Sequence, residues 1–238
     1  SGSGAPSVEG INFKAMKGQT IGVIGGTGSG KSSLVNLIPR LYDATQGEVL
    51  VDGVNVKDYD IEALRNKVGI VMQKAVLFKG TIRENMWMGK KGATDEQIDE
   101  ALEISQSKEF VDSKQGRLDY VIEQGGKNLS GGQRQRLTIA RAIVRKPDVL
   151  ILDDSASALD FATDAALRKA IRGMNNSPTV FIVSQRAASL MYADLIIVLD
   201  DGQVAGMGTH DELLANCEVY KEIYESQFKK ADSEGGVA

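Results

Sequence analysis

The chain holds a single cysteine, Cys217, so no disulfide can form within it, and a reducing compartment fits that composition. No apolar run approaches the roughly 20 residues that a membrane-crossing helix needs. The longest, Leu195 to Leu199, has the length of a strand. The sequence therefore reads as a soluble chain, and any membrane part that it serves is expected elsewhere. A basic excess is missing too: 28 Lys and Arg stand against 32 Asp and Glu, a net charge of -4. That balance disfavours a broad nucleic-acid surface, though not a local basic groove. There is no internal repeat and no low-complexity interior. Histidine occurs once, at His210.

What is present is ordinary for a globular domain. With 238 residues, 42% hydrophobic and 25% charged, the chain can build one sizeable core, or a core with a subdomain. Residues 1–7 read as a linker lead-in and 229–238 as a frayed tail, leaving 8–228 as the domain. The apolar run 19–25 ends in glycines and reads as a buried strand. Residues 31–41 follow with Leu34, Leu37, Ile38 and Leu41 at helical spacing. Segments 8–14, 47–51 and 68–72 read as further strands, with Phe13 turned to the core. From about 74 to 145 the pattern is mostly helical and reads as an inserted helical subdomain. Strands return at 148–152, 179–183, 194–199 and 203–207, with helices near 160–173 and 186–191. Alternating strands and helices predict an α/β fold with a mainly parallel sheet. Asp-Gly pairs at 52–53 and 201–202 predict antiparallel hairpins, hence a small antiparallel β subdomain.

Three motifs carry chemistry. Gly25-Gly-Thr-Gly-Ser-Gly-Lys-Ser32 fits G-x-x-x-x-G-K-[ST], after a strand and opening a helix. Glycines there let backbone N–H groups close around phosphate oxygens. Gly26, Thr27, Gly28, Ser29, Gly30, Lys31, Ser32 and Ser33 are candidate nucleotide contacts. Lys31 is suited to the β- and γ-phosphates and the Ser32 hydroxyl to Mg²⁺. A glycine-rich turn matching by chance is the plainer alternative. Second, Val149-Leu-Ile-Leu-Asp153 is an apolar strand ending in a carboxylate, the place where open α/β sheets bind ligands. Asp153 is a candidate Mg²⁺ partner, or else a turn or N-cap aspartate. Third, Leu129-Ser-Gly-Gly-Gln133 precedes an amphipathic helix with Leu137, Ile139, Ala140 and Ile143. Ser130 is expected to cap that helix, and the loop to form a second nest for phosphate.

Together with Ser157-Ala-Leu-Asp160, these motifs resemble the ATP-binding cassette family over roughly residues 8 to 225. The resemblance implies a P-loop NTPase (RecA-like) core, ATP and Mg²⁺ as ligands, and a head-to-tail dimer. Each ATP would lie between the P-loop of one domain and the LSGGQ loop of the other. Ser130, Gly131, Gly132 and Gln133 would then serve a partner's nucleotide, and Asp160 would resemble the loop that communicates across the dimer. Gln73 matches the family's glutamine at a strand end, able to ligate Mg²⁺ and sense the γ-phosphate; a plain polar residue leaving a strand is the alternative. LFKGTIRENMWMG and GTHDELL resemble the exporter branch. That branch implies a transmembrane partner and a place at the cytoplasmic face of the cell membrane. Phe78, Met86, Trp87 and Met88 are candidates for the dock of that partner, or for the subdomain's core.

The chain departs from the family's pattern in three places. The residue after the Asp153 carboxylate is Asp154 rather than glutamate, one methylene shorter. The switch histidine is replaced by Gln185, which donates a hydrogen bond but carries no charge. His210 reads as a helix-entry residue. The family's adenine-stacking aromatic has no counterpart ahead of the P-loop, where Phe13 is the only aromatic. Weak base selectivity follows. Asp154, Gln185 and Gln73 are thus the catalytic candidates of a slow site, and the intact LSGGQ loop fits a different partner with a competent one. A homodimer with two slow sites, and a subunit that binds ATP without hydrolysing it, are the alternatives within the family. A soluble cassette ATPase acting on nucleic acid or ribosomes is the alternative outside transport; no nucleic-acid partner is expected.

Overall fold

The computed structural model describes residues 7–155 and 158–234. Most of the lead-in, Ser157 of the motif above and the last tail residues lie outside the described residues. In chain order the elements are β1 (Thr20–Gly25), α1 (Lys31–Asn36), β2 (Leu50–Val51), β3 (Val54–Asn55), α2 (Ile61–Lys67), β4 (Val68–Val71), β5 (Gly80–Thr81), α3 (Ile82–Gly89), α4 (Asp95–Ile104), α5 (Lys108–Asp112), β6 (Val121–Ile122), α6 (Gly131–Ile143), β7 (Val149–Asp153), α7 (Phe161–Arg172), β8 (Thr179–Val183), β9 (Leu195–Asp200), β10 (Gln203–Gly208), α8 (His210–Asn216) and α9 (Glu218–Glu234). The fold is α/β with a mainly parallel sheet. It divides into two compact units, one up to Leu64 together with the chain from Thr179, the other Arg65–Pro178.

In the first unit β1 lies between β9 and β8, parallel to both, and β10 runs antiparallel along β9. A strand flanked on both sides and covered on both faces is apolar throughout rather than alternating. Ile21, Val23, Ile24 and Ile196 to Leu199 are accordingly wholly buried. Each such side chain contributes about 2 kcal/mol of transfer free energy. Both Asp-Gly pairs make the expected hairpins. Asp52 and Gly53, and Asp201 and Gly202, all take positive φ, as the tight primed turns demand. A small satellite core of Val51, Val56 and Leu64 backs β2 and β3.

The helix after β1 stops at Asn36, five residues short of the sequence expectation of 41. Pro39 lacks the N–H that a continuing helix needs, and Arg40 turns to φ 53. Leu41 is consequently exposed. Residues 8–14 form no strand; Glu9 N–H donates to the Gly202 carbonyl, and Phe13 is half-buried edge-on to Phe181. Near 186–191 there is only a 3₁₀ turn, Ala187–Ser189.

The second unit pairs β4 and β7 in parallel; α6 packs against β4, and α3 and α4 pack on α6. Helices dominate between α3 and α6, as the periodicity predicts. The exception is the two-residue pairing of β5 with β6, too short to leave a period-two signal. Ile82, Met86, Ile98, Leu102, Leu137 and Ile139 are wholly buried. Helix α3 ends at Gly89, where a Cβ would collide with the Arg141 carbonyl oxygen of α6. Glycine lets these helices approach closely.

Candidate functional site

At the carboxyl edge of the first unit's sheet, Gly25 pairs with Leu199 and Val23 with Val183. That register brings three features to one edge: the loop after β1, Gln185 two residues past β8, and the β9–β10 turn. The loop is shaped by its glycines. Gly28 and Gly30 have φ of 83 and 93, a region closed to most side chains. A Cβ on Gly25 would collide with the Leu199 carbonyl oxygen and stand 2.6 Å from Ser29 Oγ. At Gly26 and Gly28, by contrast, nothing lies within 4 Å of where a Cβ would be, so the backbone is open to a ligand. Lys31 is buried, and its ammonium donates to the carbonyls of Gly25 at 2.9 Å and Gly26 at 2.6 Å. Gly28, Gly30, Lys31, Ser32, Ser33, Ser7 and the Asp201-Gly202 turn line a cavity of about 350 Å³. Gln185 is exposed.

The close fit at Gly25 makes a stability prediction. Gly25→Ala should cost about 3 kcal/mol, because backbone rather than a flexible side chain must give way. Gly26→Ala, into open space, should cost less than about 1 kcal/mol. Urea unfolding midpoints of the two variants test this; equal midpoints would contradict it.

The second unit repeats the arrangement. Val71 pairs with Leu152, so Gln73 and Asp154 both leave the strands two residues beyond a paired position. Gln73 Nε2 donates to Asp154 Oδ2 at 3.0 Å. Asp153 is buried at the end of β7 and Asp154 half-buried beside it. Asp154 has φ 45, a left-handed conformation that aspartate adopts more readily than longer side chains.

The Leu129–Gln133 segment turns into α6 through a capping box. Ser130 Oγ accepts from Gln133 N–H at 3.2 Å, and Gln133 Oε1 accepts from Ser130 N–H at 3.1 Å. Leu129 is buried, Ser130 and Gly131 exposed, and Arg134 holds the loop by donating to the Leu129 carbonyl at 2.5 Å. Asp160 caps α7, accepting from Thr163 N–H at 2.9 Å and from its hydroxyl at 2.7 Å. The Thr163 N–H holds the Asp160 carboxyl below the usual carboxylate range. Phe161 beside it is 74% exposed.

Residues 8–157 match the family model described as ABC transporter. The chain belongs to the ABC transporter family. Among ABC transporter relatives, an uncharacterized ATP-binding protein of Bacillus subtilis (strain 168) is 45% identical over 224 residues, covering 94% of this chain and 39% of that protein. A putative multidrug export ATP-binding/permease protein of Staphylococcus aureus (strain NCTC 8325 / PS 47) is 40% identical over 223 residues, with 94% and 39% covered. A bacterial Atm1-family ABC exporter, solved with ATP bound, superposes with a TM-score of 0.87 at 32% identity, covering 92% of this chain and 39% of that one. The chain thus spans about two fifths of the length of these ABC transporter relatives. Membership makes the chain an ABC ATPase domain.

Among the residues expected at a dock, Met86 is core instead: it faces inward on α3 and is wholly buried. Phe78 and Met88 are exposed, and Trp87 is partly so, its Nε1 donating to the Ala93 carbonyl at 3.0 Å. His210 opens α8 after the Thr209 cap, with Nδ1 2.8 Å from the Tyr220 hydroxyl. Among the described residues no helix is long and apolar enough to cross a membrane. Sequence reading missed the Gln73–Asp154 hydrogen bond, although both residues follow strand ends.

Proposed function

We propose that this chain is the ATP-binding and ATP-hydrolysing motor domain of an exporter, and the slow-site half of a heterodimer. The domain spans 8–228, with a helical subdomain at about 74–145. It works at the cytoplasmic face of the membrane and drives a transmembrane part that exposed Phe78, Trp87 and Met88 help to grip. The observation that carries the reading is the pairing of an intact Ser130–Gln133 cap, exposed at Ser130 and Gly131, with a shortened carboxylate, Asp154, already bonded to Gln73.

The loop suits a triphosphate: the space at Gly26 and Gly28 is open, and the positive φ at Gly28 and Gly30 is of the kind from which backbone phosphate nests are built. Lys31 exchanges carbonyl partners for β- and γ-phosphate oxygens. Ser32, Gln73 and Asp153 offer a hydroxyl, an amide oxygen and a carboxylate, the hard oxygen donors that suit Mg²⁺. Bound there, the ion would neutralise charge on the phosphates. Asp154 orients the attacking water, and Gln185 donates to the γ-phosphate. Ser130, Gly131, Gly132 and Gln133 close over the nucleotide of the partner domain, with Asp160 at the same contact.

Mixing tests the proposal. ATPase activity should be low for this chain alone and rise at least about tenfold with a cognate half that carries glutamate and histidine at the two positions. Equal activity alone and mixed would defeat the heterodimer assignment.

A further inference from the structure

The segment that carries Gln185 is short and irregular, yet its backbone is held closely. Ser184 N–H donates to the Val23 carbonyl at 3.1 Å, which anchors the end of β8. Arg186 N–H folds back on Ser184 Oγ at 2.9 Å. The next two backbone groups, the Gln185 carbonyl and the Ala187 N–H, meet a single side chain from the C-terminal helix. Gln227 of α9 accepts from Ala187 N–H with Oε1 at 2.9 Å and donates to the Gln185 carbonyl with Nε2 at 2.7 Å. An amide carries a donor and an acceptor on one carbon, which is what two opposed backbone groups require. A carboxylate offers acceptors only and an ammonium donors only. Helix α9 is itself fixed at its start. Tyr220 is wholly buried, its hydroxyl meets His210 Nδ1, and the His210 ring packs against both Tyr220 and Tyr224.

We infer that Gln227 is a positioning residue. It clamps the backbone on both sides of Arg186 and thereby sets where the Gln185 side chain aims, so that α9 takes part in sensing the γ-phosphate. The inference rests on the proposed role of Gln185. Alanine at 227 leaves two backbone groups without partners and frees the segment by an ångström or so, a scale at which oriented chemistry is sensitive. Because α1 and the P-loop keep their own hydrogen bonds, nucleotide binding should be spared.

The test uses the assembled transporter, with single-turnover hydrolysis of radiolabelled ATP at this chain's site, nucleotide affinity, and amide exchange over residues 184–190. Gln227→Ala should lower the turnover rate about tenfold and speed exchange of the Ala187 amide about tenfold, with affinity within about twofold. Gln227→Glu should match it near pH 8, where the carboxylate sets lone pairs against the Gln185 carbonyl. Toward about pH 4.5, near the ordinary glutamate pKa of about 4.3, protonation restores an O–H donor, so its rate relative to the unsubstituted chain should climb while that of Gln227→Ala stays flat. Unaltered turnover in Gln227→Ala, unaltered Ala187 exchange, or a flat pH ratio for Gln227→Glu would overturn the inference. Failure of the unsubstituted assembly to turn over ATP at this site would count against the proposed function instead, and the exchange measurement would still decide whether the clamp exists.

Discussion

Replacing Asp154 by Glu together with Gln185 by His should raise ATP turnover at this chain's site about a hundredfold. A general base or water-orienting group works within about 2.6–3.2 Å of its target, and a misplacement near 1 Å costs on the order of a hundredfold. Asp154 falls one methylene short of the glutamate of the family pattern, and one of its oxygens accepts from Gln73. The longer side chain restores reach, and histidine adds a donor that can carry charge opposite a phosphate. The backbone sets a counter-effect. At φ 45, Glu is less at ease than Asp, a penalty of about 1 kcal/mol. A melting temperature lower by about 2–4 °C should therefore accompany the gain. The measurement is phosphate release from the assembled dimer whose other site has been silenced. A rate no higher than that of the unsubstituted chain would show that the two departures do not limit the chemistry.

Lys31→Met should do the opposite and abolish function at the P-loop. The methionine keeps much of the stem's volume but removes the ammonium that now bonds the carbonyls of Gly25 and Gly26. A charge-assisted contact to phosphate is worth about 1.5–3 kcal/mol in binding, so affinity for ATP should drop by at least tenfold. Loss of one donor aimed at developing charge lowers turnover by about 10²–10³. Fluorescent-nucleotide titration and single-turnover hydrolysis read the two effects separately. Retained affinity and rate would mean that the nucleotide is held elsewhere.

Much of this was legible in the sequence, for identifiable reasons. The run 21–24 is free of polar side chains, because β1 has neighbours on both sides. The Asp-Gly pairs at 52–53 and 201–202 declare their turns through the φ they tolerate. Ser130 and Gln133 stand at the spacing of a capping box, and the structure makes one. The same spacing recurs at Thr81 and Glu84, at Thr94 and Gln97, and at Thr209 and Glu212, and could have fixed those helix starts in advance. The errors have equally local causes. Helical spacing ran through Pro39 although proline forbids it, and the segment 8–14, read as a strand, makes a backbone bond among the described residues only at Glu9, to the Gly202 carbonyl, rather than a ladder. Contacts distant along the chain left no trace at all. Nothing near Gln185 announces Gln227, and nothing in the Met86-Trp87-Met88 run says that only the first faces inward.

The Ser130–Gln133 cap has a consequence for what the LSGGQ loop will tolerate as a neighbour. The Ser130 oxygen is already receiving the Gln133 N–H, which leaves its own hydrogen free to rotate toward a ligand as a donor. The N–H groups of Gly131 and Gly132 stand in the first turn of α6, where backbone donors have no partner within the helix, so the start of α6 is rich in donors. Such a surface discriminates by polarity: it welcomes acceptors such as phosphoryl oxygens and disfavours donors such as a guanidinium, with no formal charge of its own to attract stray anions at long range.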